Sequence, residues 1–357
     1  MSVVSTGVRL AAALLLFALT AHAEPTVQQL IDADHWTRAR AALEARLKVA
    51  PNDPVATRQM AQVLHAFNDL PGAQAQAERA VKLAPNDAEA HFTLAEVAGD
   101  QAQHANPLKQ IGLAKKFRKE AEQTIALDPK HVEARLDLIS FHYQAPGIAG
   151  GDKKKAAALA AEVERIAPEQ AWRAKATIAG QEKDSTALAA SYKEGAAKQP
   201  NDYRARTSYA NWLAAPWRNP AEAETHARAA VALDPERCAA YTILVVVQAR
   251  EKKWDQVDAT IAEAAAKVPD DLSPVYQAGR VALTDANDPV RAEGYFRRYL
   301  SKPSEGGTST QAAARWRLGL ALEKQGRKEE AIREIQLASQ LDPKFEPAKK
   351  DLKRIKG

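Results

Sequence analysis

The chain has 357 residues, 46% of them apolar and 27% charged, a balance that excludes wholesale disorder, a collagen-like fibre and a polytopic membrane protein. Aromatic residues make up 6%, there are 16 glycines, and alanine dominates the apolar set, which favours closely packed helices over strands built from Val, Ile and aromatics. The net charge of +5 resolves into a surplus of four on residues 344–357 and one on Arg9; the rest is near neutral and lacks the long basic stripe that nucleic acid demands, so no nucleic-acid partner is expected.

In chain order, the first element is a secretory signal over residues 1–23. Arg9 supplies positive charge, Leu10 to Leu19 is unbroken apolar sequence, and Ala21-His22-Ala23 offers small residues for cleavage before Glu24. The apolar run is well short of the roughly 20 residues that span a bilayer. The expected product is soluble, in the periplasm or outside the cell. A lipid anchor would need a cysteine just after that run, whereas the single cysteine, Cys238, lies far downstream. One thiol also rules out an internal disulfide, and Cys238 is expected as a small buried residue at the start of a helix rather than a nucleophile.

Prolines then recur in a common setting at Pro51, Pro85, Pro129, Pro168, Pro200, Pro235, Pro269, Pro303 and Pro343, with spacings of 34, 44, 39, 32, 35, 34, 34 and 40. A base period of 34 with insertions marks a helical-repeat solenoid. Proline stops the helix before it, and a neighbouring Asp or Asn can cap the next. The spacing predicts an all-α array of about nine helix-turn-helix units over residues 24–343, two helices of about 12 to 14 residues in each. In the clearest unit, Ala312 to Lys344, Leu318, Gly319 and Leu322 mark one buried stripe, Gly326 turns the chain, and Ala331, Ile335 and Ala338 mark the second stripe. Residues 344–357 form a basic C-terminal capping helix, either a solvated cap or a weak electrostatic contact with an acidic surface.

This unit resembles the tetratricopeptide repeat. The pattern of that family recurs as Ala73, Ala80 and Pro85, as Ala223, Ala230 and Pro235, and with Tyr241, Leu244, Trp254 and Pro269; Trp36 and Trp254 stand where the family carries an aromatic opening its second helix. The resemblance implies a right-handed superhelix whose first helices line a concave groove for a partner's peptide or helix. The first unit departs from the pattern in having a short first helix, as a terminal cap does. On that phase the groove receives Arg58, Gln62, His65, Phe92, Glu96, Leu136, Ser140 and Tyr143 from early units. Ser208, Trp212, Tyr276, Arg280, Trp316 and Lys324 follow from later ones. Aromatics and arginines carry much interface energy, although packing between repeats is the competing role for each aromatic.

Two units are enlarged, near residues 88–131 and 132–170. The first carries Lys115, Lys116, Arg118 and Lys119 on a lengthened helical stretch. The second holds Pro146, Gly147, Gly150 and Gly151, followed by three lysines, where the family needs only a tight turn. That string is no phosphate-binding loop: Asp152 stands where glycine is needed, Lys154 where Ser or Thr is needed, and no strand precedes. The loop is expected to protrude and rim a partner site.

No catalytic constellation is present. The histidines form no His-Glu-x-x-His helix, and His131 and His142, 11 residues apart, share a helical face but lie about three turns from each other. No metal site, cofactor or enzymatic activity is expected. The sequence points to a non-enzymatic protein–protein interaction module or scaffold in the bacterial periplasm, with a protein or peptide partner in the cell envelope; a small-ligand or glycan-binding protein, or an accessory subunit of an envelope enzyme, is the alternative.

Overall fold

The structure, a computed structural model, describes residues 25–216 and 218–356. The expected signal segment and Trp217, which the sequence places in a proline-bounded turn, Ala-Pro-Trp-Arg-Asn-Pro, lie outside the described residues. Within them the fold is all-helical, a solenoid of the tetratricopeptide type. The helices follow in pairs: α1 Val27–Asp32 and α2 Trp36–Val49, α3 Pro54–Ala66 and α4 Leu70–Leu83, α5 Ala88–His104 and α6 Pro107–Leu127. Next come α7 Val132–Gln144 and α8 Lys153–Ile166, α9 Ala171–Glu182 and α10 Ser185–Lys198, α11 Tyr203–Leu213 and α12 Pro220–Leu233. The series ends with α13 Cys238–Arg250 and α14 Trp254–Lys267, α15 Ser273–Thr284 and α16 Pro289–Tyr299, α17 Gln311–Lys324 and α18 Lys328–Leu341, then α19 Glu346–Lys356. The two helices of each unit pack on each other, and one or both pack on the first helix of the next unit, so the core is a continuous seam rather than one central cluster.

Local chemistry explains the boundaries. Where proline is followed by Asn-Asp, the Asp caps the next helix: Asp53 accepts from the Ala56 amide at 3.0 Å, Asp87 from Glu89 at 3.0 Å and Asp202 from Ala205 at 2.6 Å. Where Asp stands directly before the proline that ends a unit, the expectation of a cap does not hold. Asp128, Asp234 and Asp342 instead close the turn itself, accepting from the amides of Lys130, Glu236 and Lys344. The capping role before α7 falls to His131, whose Nδ1 accepts from the Ala134 amide at 3.1 Å.

The stripes read from the sequence are buried: Ala331, Ile335 and Ala338 are fully enclosed, and Gly319 lies against Ala331 and Ile335, leaving no room for a side chain. Trp36 and Trp254 open α2 and α14, and Cys238 is the buried first residue of α13, its thiol pushed well up by burial. The last helix buries Ala348 and Ile355 against α18, while Arg354 forks onto Glu323 at 2.6 and 2.7 Å. One basic group of the cap is thereby committed to the fold.

The two ends of the array also touch. The segment 301–310 carries Glu305 onto α2, where its Oε1 accepts from the Thr37 amide at 2.8 Å and the Thr37 hydroxyl at 3.0 Å. The Gly307 amide donates to the Ala66 carbonyl at 2.7 Å, and Arg38 lies 2.9 Å from Asp270. The spacing of 40 before Pro343 reflects this segment, and the sequence gives no sign of its destination.

Candidate functional site

The two enlarged units build one pocket. The extra residues of the first lengthen both helices, to 17 residues in α5 and 21 in α6. The basic side of α6 is partly paired, Lys116 with Glu78 at 2.5 Å and Lys119 with Glu120 at 3.5 Å. The extra residues of the second unit fold into a short 3-10 turn, Gly147–Ala149, between α7 and α8.

That turn is pinned. Gly150 has φ +102°, and a side chain there would run into the Arg118 guanidinium; at Gly151 it would meet the Ala145 carbonyl. His142 Nδ1–H donates to the Gly150 carbonyl at 3.1 Å, and the Asp152 amide donates to the His142 carbonyl at 3.1 Å. His142 therefore serves the loop and His131 the helix start. Pro146 and Gly147 are exposed at its outer edge, beside Ile148, which is 74% exposed.

Between the first helices α3, α5 and α7, the long α6 and this loop lies an open pocket of about 600 Å³. Its floor is apolar: Ala102, Ile111, Ala114 and the rings of Phe117 and Phe141, whose centroids are 5.4 Å apart. Its polar lining is mostly carboxylate and amide, with Glu96, Asp100 and Gln103 from α5, Asp137, Ser140 and Gln144 from α7, and Gln110 from α6. Asp100 receives a hydrogen bond from His65 Nε2 at 3.2 Å. Glu96 and Asp137 are half-buried, and among the described residues neither carboxylate has a hydrogen-bond or ion-pair partner.

Their environment shifts both acids. Burial, reinforced by Asp137, Glu89 and Glu133 and opposed by Arg58, pushes the Glu96 carboxyl up to about 8. Burial and the neighbouring Glu133 charge push Asp137 up to about 6, against Arg173 and His131. Near neutral pH Glu96 therefore holds its proton while Asp137 carries the negative charge.

Of the residues read from the sequence as a groove, His65, Glu96 and Ser140 meet in this pocket. Several others are engaged in packing. Phe92 is buried 4.6 Å from the His131 ring, Leu136 is core, and Tyr276 is 4% exposed against Phe296 and Tyr299. Arg58 is likewise buried, its guanidinium donating to Gln62 at 3.3 Å. The Trp316 indole N–H donates to Asp351 at 2.8 Å, and its ring meets Phe345, so it docks the C-terminal cap.

Half-buried positions, and the exposed Lys324, remain farther along. Tyr143 donates to Glu182 at 2.8 Å, Trp212 stacks between Tyr209 and the Arg218 guanidinium, and Arg280 donates to Gln277. Lys324 reaches the Leu283 carbonyl, and Ser208 lines a second, more polar cavity of about 550 Å³ beside Cys238 and Asp34. Sequence reasoning missed Asp100, Asp137, Phe117 and Phe141. The signal available was the pair of insertions in adjacent units, which both open onto one pocket.

No group of three or more metal-ligating side chains occurs among the described residues, and no helix there is long and apolar enough to cross a membrane. Helix pairs closed by proline, crossing at small residues and presenting their first helices side by side, define a tetratricopeptide-like solenoid. A tetratricopeptide-repeat family model matches residues 54–97, a stretch that includes His65 and Glu96. Among solved structures, a monomeric IFIT1 mutant with m7Gppp-AAAA is similar at a TM-score of 0.51 and 14% identity, over 92% of this chain and 79% of that one. Yeast Tom70 is similar at 0.48 and 14%, over 92% and 86%, and a tetratricopeptide repeat protein from Parabacteroides merdae at 0.44 and 11%, over 85% and 99%. At these identities the likeness is one of fold. No curated protein matches the sequence.

Proposed function

We propose that the chain is a non-enzymatic interaction module of the bacterial periplasm that holds a segment of an envelope protein along the face of its first helices. The repeat fold supports a scaffold, and the charged, apolar and small-residue order of residues 1–23 supports export. One observation carries the binding reading: the pocket of about 600 Å³ opens onto the first helices of three successive units and is walled by both irregular insertions. The partner segment lies in this pocket, beside the rim formed by Pro146, Gly147, Gly150 and Gly151. It continues past Tyr143 toward Trp212 and Arg280.

Cross-linked capture of the exported chain from its own envelope, beside a Ser140→Trp variant that fills the pocket, tests this. A partner retained by the native chain and lost by the variant, at equal helicity, supports the module. Retention by both forms places the contact elsewhere. The pocket volume also suits a small ligand; a saturable thermal shift with small molecules, and no protein captured by either form, would favour that second reading.

A further inference from the structure

Elsewhere among the described residues most buried or bridging acids have partners. Glu120 takes the His91 ring at 2.6 Å, Glu133 is forked by Arg173 and bridged by Arg204 at 2.9 Å, and Glu162 meets Arg135 at 3.0 Å. Glu96 and Asp137 break that rule, and they do so on neighbouring first helices, at the wall of a pocket whose floor is two phenylalanine rings and an isoleucine. Half-buried carboxylates without a partner cost the free protein stability. An anion would add like charge, and an uncharged apolar group would desolvate both acids further without pairing them. A cation on an aliphatic stem satisfies both halves of the lining: methylenes over Phe117, Phe141 and Ile111, the charged head between the acids.

We propose that the pocket receives the ammonium or guanidinium group of a lysine or arginine in the partner's bound segment, with Glu96 and Asp137 as its counter-charges. This rests on the interaction-module reading above and names the chemistry of the contact. The charged groups facing the pair are Arg58 and His65 from α3, Glu89 and Asp100 on α5, His131 and Glu133 on α7, and Arg173 from α9. The pocket lining from α6 and the loop is uncharged. Seating a cation displaces the proton that Glu96 holds near neutrality, so binding releases protons and tightens as pH rises from about 6 to about 8.

The test is titration of the full chain with short peptides centred on lysine, arginine, acetyl-lysine, glutamate or leucine in one flanking sequence, with free hexylamine as a separate probe. Expected are binding of the lysine and arginine peptides alone, a loss of about tenfold or more in Glu96→Gln and in Asp137→Asn, and proton release that the carboxamide variants reduce. Both variants remove an unpartnered acid and are expected to keep native helicity, checked by circular dichroism. Equal affinity for acetyl-lysine or leucine peptides, abolished by Ser140→Trp, overturns the cation assignment and leaves the module standing. Binding of hexylamine with no peptide bound overturns the partner-segment reading, and binding of no probe overturns the proposal.

Discussion

Replacing Glu96 by Gln removes the costliest feature of the pocket while keeping its shape, and the effect on stability has a definite sign. In the folded chain the carboxyl keeps its proton up to about 8, against a reference of 4.5, so between these values the folded state binds the proton and the unfolded state does not. Stability contributed by this group is therefore fully present below about 4.5 and is lost as pH rises through about 8. At about 1.36 kcal/mol per tenfold, the upper bound is on the order of 4 to 5 kcal/mol. The side chain is half-buried, and water and local relaxation reduce this to about 2 kcal/mol. The assay is urea unfolding followed by far-UV circular dichroism at about pH 5 and about pH 9. The Gln variant is expected to match the native chain at the lower pH and to exceed it by about 2 kcal/mol at the higher. A variant less stable than the native chain at both pH values would refute the reasoning, since it would mean that the Glu96 carboxylate has a partner whose loss matters more than its burial.

Three further outcomes follow from contacts elsewhere. Gly150→Val forces a branched side chain into a positive-φ position against Arg118 and is expected to cost about 1 to 3 kcal/mol, with amide exchange rising over residues 145–152 before any other segment. Glu305→Ala removes the shared acceptor of the Thr37 amide and hydroxyl, two hydrogen bonds together contributing about 1 to 3 kcal/mol; exchange should rise in α1 and α2, and unchanged protection there would show that the two ends do not meet in solution. Ala331→Leu places three extra carbons where Gly319 and Ile335 already touch and is expected to lower stability by about 1 to 3 kcal/mol in a thermal melt.

The repeat was legible because its causes are local. A proline stop, an Asp two residues later and small residues at the helix crossing act within one unit, and each leaves a fixed mark at a fixed interval. The exceptions are equally physical. Asp128 and Asp53 are the same residue type near the same kind of proline, yet one closes a turn and the other caps a helix, because only the second residue after the proline is placed to face the next free amides. The groove aromatics Phe92, Tyr276 and Trp316 could not be sorted from the sequence, because stacked repeats need large side chains at their joints for the same reason that partners do.

The pocket was harder still to read, since its chemistry lies in what its residues lack. Asp137 in the string Arg135-Leu136-Asp137-Leu138 has the pattern of a solvated acid on an amphipathic helix, and Glu96 between Ala95 and Val97 has the same pattern. What distinguishes them is tertiary. The lengthened α6 and the pinned Gly150 loop raise walls around a face that is otherwise open to water, and inside those walls a carboxylate loses its solvent without gaining a donor. An insertion in one repeat would make a ridge. Insertions on two adjacent repeats enclose a volume between them, so the informative feature in the sequence is the adjacency of the 44 and 39 spacings rather than any residue within either one. By that logic, shortening the 145–152 loop alone should return Glu96 toward the ordinary carboxylate range while leaving the repeat fold intact, an outcome that NMR titration of the Glu96 carboxyl would read directly.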